Sequence, residues 1–353
     1  MVQIETLLKL MVQKNASDLH ISAYSPPHLR VDEKLIPTDH PPLSPDESKR
    51  LSYSMLKPQQ IERFEREFEI DLSFGIEELG RFRVNVFLQR GVVGAAIRLL
   101  PVHIMTFEEC GLPIHVVENL CKKPKGLVLV TGATGSGKST TLASMVDRIN
   151  SERDCHIVII EDPIEYMHKN KKALVDQREI GSDTLSFGLS LKHVLRQDPN
   201  VILIGEMRDL ETIESALNIA ETGHLVLSTL HTSDAVQTIN RVIDVFPAHK
   251  QQQVRIQLSF VLLGILAQQL IPKATGQGRV LASEVLIANP AVRSLIREAK
   301  THQLYSVIQT SQKEGMKTMN QSLFQLYSNK LISYDDAIMR STDPEDLERL
   351  FRK

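Results

Sequence analysis

Residues 126–149 read GLVLVTGATGSGKSTTLASMVDRI. Leu127 to Val130 form a continuous apolar run, the signature of a strand covered on both faces. Gly132-Ala133-Thr134-Gly135-Ser136-Gly137-Lys138-Ser139 follows and satisfies G-x-x-x-x-G-K-[ST] at every fixed position. Glycines in such a loop let backbone N–H groups turn inward onto phosphate oxygens. The lysine reaches the β and γ phosphates, and the serine hydroxyl ligates Mg²⁺. Leu142, Met145, Val146 and Ile149 then recur at helical spacing, so the positive end of a helix dipole faces the same anion. With strand before and helix after, a chance glycine-rich turn is the poorer reading. The candidate nucleotide contacts are Gly132, Thr134, Gly135, Ser136, Gly137, Lys138, Ser139 and Thr140, and the expected cofactors are ATP and Mg²⁺.

Outward from the loop, apolar runs recur at Ile157–Ile160, Val201–Ile204 and Leu225–Leu230 with helical stretches between them, as in an α/β parallel sheet. Two of these runs end in acids: Glu161-Asp162, with Glu165 just beyond, and Gly205-Glu206. Parallel strands deliver their C-terminal ends to one crevice, where ligands bind. Glu161, Glu165 and Glu206 are therefore candidates to orient or deprotonate water. Glu161 and Asp162 join Ser139 as candidate Mg²⁺ holders, partly through water. In Gly223–Thr232, Thr229 and His231 share a strand face by the period of two. Thr229 and His224 are further candidate nucleotide contacts, and His231 a candidate catalytic residue. Beyond about Pro247 the chain reads as mostly helical, with one strand near Val280–Ile287.

Before the loop the pattern differs. Ile4, Leu7, Leu8, Met11 and Val12 mark a helix over residues 2–13. Short strands are expected at Leu19–Ser22 and Leu29–Ile36. Ser44-Pro45-Asp46-Glu47 opens a helix with a capping box, running to about Leu56, and a second helix runs from Pro58 to Glu67. Arg81–Leu88 alternates polar and apolar residues, and Val92–Leu100 continues as strand. The expected organisation is an α+β domain over 1–100, a linker over 101–113, and a nucleotide domain over 114–353 that is helical from about 289.

Hydrophobic residues make up 42 % and charged residues 24 % of the 353, as in an ordinary globular protein, and the net charge is −2. A nucleic-acid motor usually carries a basic excess, which this chain lacks. The three cysteines form no C-x-x-C pair, against a structural zinc or a disulfide framework. Glu5 and Lys9 break the opening apolar stretch, against a secretory signal. The most apolar run, Phe260–Ala267, falls far short of the roughly 20 residues of a membrane span. The expectation is a cytoplasmic protein whose membrane role goes through a partner.

Six ordered segments resemble the type II/IV secretion ATPases. They are Ala16-Ser17-Asp18-Leu19-His20, Arg81-Phe82-Arg83-Val84-Asn85, the phosphate loop, Ile160-Glu161-Asp162-Pro163-Ile164-Glu165, Gly205-Glu206-Met207-Arg208-Asp209, and His224 to Thr232. Within that family the chain is similar to the pilus-retraction branch. It lacks the paired C-x-x-C motifs of extension relatives, and Ala291–Glu298 (AVRSLIRE) resembles the branch's A-I-R-N-L-I-R-E, departing at Val292 and Ser294. Ala133 replaces a common proline at a tolerant loop position. The resemblance implies a RecA-like ATPase domain, a PAS-like N-terminal domain, and a homohexamer with ATP between subunits. It implies arginines given to a neighbour's site, with Arg81, Arg83 and Arg98 as candidates. It also implies a motor driving type IV pilus retraction against an inner-membrane platform protein, with no nucleic acid involved. An accessory retraction or extension motor of the same family is the nearest alternative. A RecA-like translocase on nucleic acid and a nucleotide-gated module without turnover stand further off. On a helix, Val292, Leu295, Ile296 and Ala299 would anchor Ala291–Glu298. Arg293 and Arg297 would lie exposed on one side, facing an acidic neighbour and coupling motor to load.

Overall fold

The computed structural model describes residues 2–31, 34–76, 79–101 and 103–352. Two compact units are present: Met1–His103 with Pro163–Met167, and Ile104–Asp162 with His168–Lys353.

The first unit is a six-stranded antiparallel sheet with helices. Its strands are β1 (Asp18–Ile21), β2 (His28–Val31), β3 (Lys34–Pro37), β4 (Glu69–Ile76), β5 (Gly80–Gln89) and β6 (Val92–Leu99), in the order β3-β2-β1-β6-β5-β4. Helix Ile4–Gln13 buries the expected stripe of Ile4, Leu7, Leu8 and Met11. That stripe joins Leu19, Ile21, Phe82, Val84, Val86 and Ile97 in one apolar cluster. Helix Pro45–Tyr53 starts at the Ser44–Glu47 capping box, and helix Pro58–Glu67 follows. The run read as one strand over Leu29–Ile36 is two strands paired in antiparallel register, Leu29 opposite Ile36. Asp32 and Glu33 within it lie outside the described residues, as does Val102 in the expected linker. β4 is an addition to the sequence reading, its exposed Glu69 and Asp71 alternating with buried Ile70 and Leu72.

The second unit is built on a seven-stranded sheet. Its strands are β7 (Gly126–Thr131), β8 (His156–Glu161), β9 (Leu174–Glu179), β10 (Val201–Ile204), β11 (Leu225–Leu230), β12 (Leu262–Pro272) and β13 (Arg279–Ile287), in the order β13-β12-β7-β11-β10-β8-β9. All neighbours are parallel except β12 and β13. Alternate residues of the apolar runs serve two cores. Leu127, Leu129, Val158, Ile160, Ile202 and Ile204 pack against helices Leu210–Glu221, Ala235–Asp244 and Ala248–Val261. Val128, Val130, Ile157, Ile159, Val201 and Leu203 face helices Ile114–Cys121 and Lys138–Glu152. Burial on both faces is why these strands read as unbroken apolar runs.

Two parts differ from expectation. Beyond Pro247 the chain is mostly helical as expected, but it holds two strands instead of one: helix Ala248–Val261 runs straight into β12, an 11-residue strand that joins β7 on one side and β13 on the other. Its Ile265 and Leu266 enter opposite cores, so the segment shows no alternation that would mark a strand. Edge strand β9 is a further addition beside β4 and β12, its sequence LVDQRE being half charged. Among the described residues, no helix is long and apolar enough to cross a membrane.

Candidate active site

β7 ends at Thr131 and the chain turns into the loop through glycines at positive φ: Gly132 (141°), Gly135 (78°) and Gly137 (91°). L side chains rarely adopt such values. At Gly132 there is also no space, since an added Cβ would overlap the Gln268 carbonyl oxygen and the Ser136 hydroxyl. Helix Lys138–Glu152 starts directly after Gly137. Lys138 is 9 % exposed, and its ammonium donates to the carbonyls of Gly132 (2.9 Å) and Ala133 (3.0 Å). The charge is thus held above the loop mouth. Behind the loop, Thr141 hydrogen-bonds the buried side-chain amide of Gln268 on β12, with Nε2 donating at 2.8 Å. Gln268 supports the loop from a strand that sequence reading missed.

These residues fit a polyphosphate. Ser136 Oγ is buried with no hydrogen-bond partner among the described residues, a polar atom that an added phosphate oxygen would satisfy. A Mg²⁺ ion fits in a more limited sense. Among the described residues no three His, Cys, Asp or Glu side chains converge on a metal position. Mg²⁺ on nucleotides normally takes its oxygens from phosphates, waters and one or two protein groups. Ser139, in the first helical turn, is the nearest protein candidate by sequence.

The acids arrive on neighbouring strands. Gly205 N donates to Ile160 O at 2.8 Å, and a Cβ at Gly205 would press on Glu161 at 3.3 Å. Glu161 and Glu206 are therefore side by side at the C-terminal edge of the sheet. With strands spaced about 4.8 Å apart, Glu206 on the end of β10 lies roughly 10 Å sideways from β7, and Glu161 on β8 roughly 14 Å. The side chain of Glu206 is 15 % exposed; one oxygen forms an ion pair with Arg208 Nε at 2.6 Å and the other lies 3.6 Å from His231 Nε2. Thr229 Oγ1 donates to Gly205 O at 2.7 Å, and Thr229 O accepts from Met207 N at 3.1 Å, which fixes the turn carrying Glu206. Thr232 continues the connection: its hydroxyl lies 2.6 Å from that of Thr238, which reaches Thr131 at 3.5 Å. Strand ends β7, β10 and β11 are thereby tied together at the edge of the sheet that carries the loop, Glu206, Thr229 and His231.

The family's model of the "Type II/IV secretion system protein" matches residues 2–336. The chain belongs to this family. Among its relatives is "Type IV pilus retractation ATPase PilT" of Pseudomonas aeruginosa, 48 % identical over 98 % of this chain and 100 % of that one. "Type IV pilus ATPase PilU" of the same organism is 42 % identical over 99 % of this chain and 92 % of its own length. Among solved structures, the "Pilus Retraction Motor PilT and Bound ADP" superposes with a TM-score of 0.94 at 51 % identity, covering 99 % of this chain and all of that one. The resemblance read from six segments thus extends over the whole chain, and the fold is the α/β ATPase fold of the secretion family.

The structure distributes the remaining candidates unevenly. His224 precedes β11 at the edge opposite the loop, because Leu225 pairs with Gly126 while Leu230 pairs with Thr131. Its Nδ1 lies 3.1 Å from Ile219 O. Six residues of strand, about 20 Å, separate it from the phosphate loop. The assignment of His224 as a nucleotide contact is therefore not supported within this chain: the histidine closes the end of helix Leu210–Glu221. Asp162 is exposed just past β8. Glu165 is exposed and lies in the 163–167 segment of the first unit. Arg81, Arg83 and Arg98 are also in the first unit. Arg83 and Arg98 sit directly opposite on β5 and β6, and Asp18 on β1 continues the row, bonded to Arg98 Nε at 2.8 Å. Arg81 Nη2 donates to Ser73 at 2.5 Å. Among the described residues Arg83 has no hydrogen-bonded or ionic partner.

Arg293 corrects the reading of Ala291–Glu298. Its guanidinium donates to the carbonyls of Ala288 (2.9 Å), Phe260 (2.7 Å), Leu262 (3.0 Å) and Ser259. It caps the end of helix Ala248–Val261 instead of pointing at an acidic partner. Arg297 lies over the Phe260 ring at 6.0 Å. Of the expected anchoring face, Val292 and Ile296 are fully buried and Leu295 is partly buried, but Ala299 is exposed, since the helix ends at Arg297 and Ala299 has a φ of 58°.

Proposed function

We propose that this chain is an ATP-driven motor that powers type IV pilus retraction. The observation carrying the proposal is the end-to-end likeness to the P. aeruginosa retraction ATPase, 48 % identical with both chains covered almost completely. The site supports it in chemistry. Lys138 and the loop amides hold the β and γ phosphates, and Ser139 with acids at the sheet edge holds Mg²⁺. Glu206 orients or deprotonates water, with Glu161 as second carboxylate. The nearer strand position of Glu206 makes it the first choice. When bound, Mg²⁺ neutralises developing phosphate charge.

In this reading the second unit is a RecA-like domain and the first a PAS-like one, with working boundaries at 1–100, 101–113 and 114–353. Six copies form a ring. The first unit presents Arg83 and Arg98, with Arg81, to a neighbour's γ-phosphate, where a cation stabilises transition-state charge. Support comes from the outward Arg83, whose charge nothing else among the described residues answers. The motor works in the cytoplasm against a platform protein of the inner membrane. One alternative stands beside it, an accessory retraction motor of the same family, which also contains the type IV pilus ATPase PilU at 42 % identity. Expression in piliated cells lacking their own retraction ATPases separates the two. Restored twitching supports the main proposal. Persistent hyperpiliation without twitching, cured only when a second retraction ATPase is co-expressed, supports the accessory role.

A further inference from the structure

A cleft of about 310 Å³ opens beside the phosphate loop. Loop residues 132–136, Ser233 and the β12 residues Gln268 to Leu270 line it, and its remaining wall is Arg340. Every other lining residue is uncharged, so Arg340 is the one charged side chain in the lining and adds to the positive charge of Lys138, whose ammonium sits on the carbonyls of Gly132 and Ala133. Its side chain has no hydrogen-bonded or ionic partner among the described residues. A guanidinium beside a phosphate-binding loop, with nothing to neutralise it, matches phosphate in charge and in its forked geometry.

The position of Arg340 is built. It ends helix Tyr334–Arg340, whose Ala337 packs with Ile271 of β12, Ala282 of β13, Met319 and Leu323. The turn after it is locked by Asn320, which is 1 % exposed. Asn320 Nδ2 donates to Asp343 O at 2.8 Å and to Asp346 at 3.0 Å, and its Oδ1 accepts from Ser341 at 2.7 Å. The strand that carries Gln268 against the loop therefore also carries the helix bearing Arg340.

We infer that Arg340 is a phosphate-contacting residue of the nucleotide site, supplied by the same chain's C-terminal helices. The inference rests on the nucleotide-binding reading of the loop and adds a cation that is separate from Lys138 and from the arginines of the first unit. A residue far along the chain then senses whether phosphate fills the loop and links nucleotide state to the C-terminal helices.

The test is equilibrium binding of ATP, ADP and AMP to the full-length protein with Mg²⁺, for wild type, Lys138→Ala, Arg340→Gln and Arg340→Lys. The expected result is that Arg340→Gln weakens ATP binding roughly tenfold, about 1.4 kcal/mol. ADP binding falls less and AMP binding barely changes. Arg340→Lys recovers part of the loss, because an ammonium keeps the charge without the fork. Nucleotide-free melting of Arg340→Gln should match wild type, as the side chain holds no partner in the fold. If wild type and Lys138→Ala both fail to bind ATP, the nucleotide reading itself fails. If Lys138→Ala loses ATP while Arg340→Gln binds ATP as wild type does, or loses AMP as severely as ATP, the phosphate role of Arg340 is overturned.

Discussion

Replacing Arg293 by methionine should destabilise the second unit without touching nucleotide chemistry. The last carbonyls of a helix have no partner inside it, and a cation there also meets the negative end of the dipole. Arg293 supplies donors to Ser259 and Phe260 at the end of helix Ala248–Val261 and to Leu262, the first residue of β12. A hydrogen bond to a charged group contributes about 1.5–3 kcal/mol, and the half-buried setting lets water replace part of that. Removing the whole fork should cost about 2–4 kcal/mol, not the sum of its bonds. For a unit of this size each kcal/mol shifts the melting temperature by about 2–4 °C, so the expected drop is on the order of 5–10 °C. Methionine keeps the apolar stem, so packing loss is a small part of the change. Arg297→Met is the control: it removes only a cation stacked over exposed Phe260, about 0.5–1 kcal/mol. Circular-dichroism melts of both variants at one scan rate provide the comparison. Equal shifts, or an unchanged Arg293→Met, would refute the capping role. The same geometry changes how a pilus-coupling test must be designed. A variant lacking both arginines confounds stability with coupling, and Arg297 is the position at which coupling should be examined.

Other outcomes follow from the site and the core. Glu206→Gln should bind ATP and turn it over 10²- to 10⁴-fold more slowly; single-turnover rates beside Glu161→Gln rank the two acids, and near-normal hydrolysis in Glu206→Gln moves the base to Glu161. If arginines act between subunits, mixing Lys138→Ala with Arg83→Ala subunits should restore some activity. Absence of complementation, with both variants still assembled, counts against shared sites. Burial raises the Glu284 carboxyl to about 7, while backbone N–H donors of Ala235 and Met319 oppose the shift. A raised acid pKa means the folded state holds the proton longer, so stability is highest below the unfolded value near 4.5 and falls as pH rises through about 7. Urea titrations should show wild type losing stability between pH 5 and 8 relative to Glu284→Gln, and parallel curves would contradict this.

What the sequence disclosed depended on whether a residue's role lay in its own neighbourhood. The loop was legible because its glycines and lysine are contiguous, and Gly132 is required by a local φ of 141° as well as by crowding. Strands β8, β10 and β11 were legible because turns and helices bound short apolar runs. β12 was not, because helix Ala248–Val261 passes into it without a breaker and both its faces are buried. Arg293 was misread because a helical wheel displays one helix, while its partners are carbonyls of another element 31 to 34 residues earlier, apart from the nearby Ala288. His224 and His231 looked alike as polar residues around one strand, yet the parallel register puts them at opposite edges of the sheet. Arg340 left no sequence signal, since only the packing of its helix on β12 and β13 brings it to the loop.

The central claim is that the crevice over Gly132–Ser139 hydrolyses ATP to drive the motor. Steady-state phosphate release by the purified full-length protein with ATP and Mg²⁺, compared with Lys138→Ala at the same concentration, tests it most directly. The account predicts measurable turnover for the wild type and none above background for the variant, whose melting profile should stay close to wild type. Equal turnover in the two proteins would contradict it.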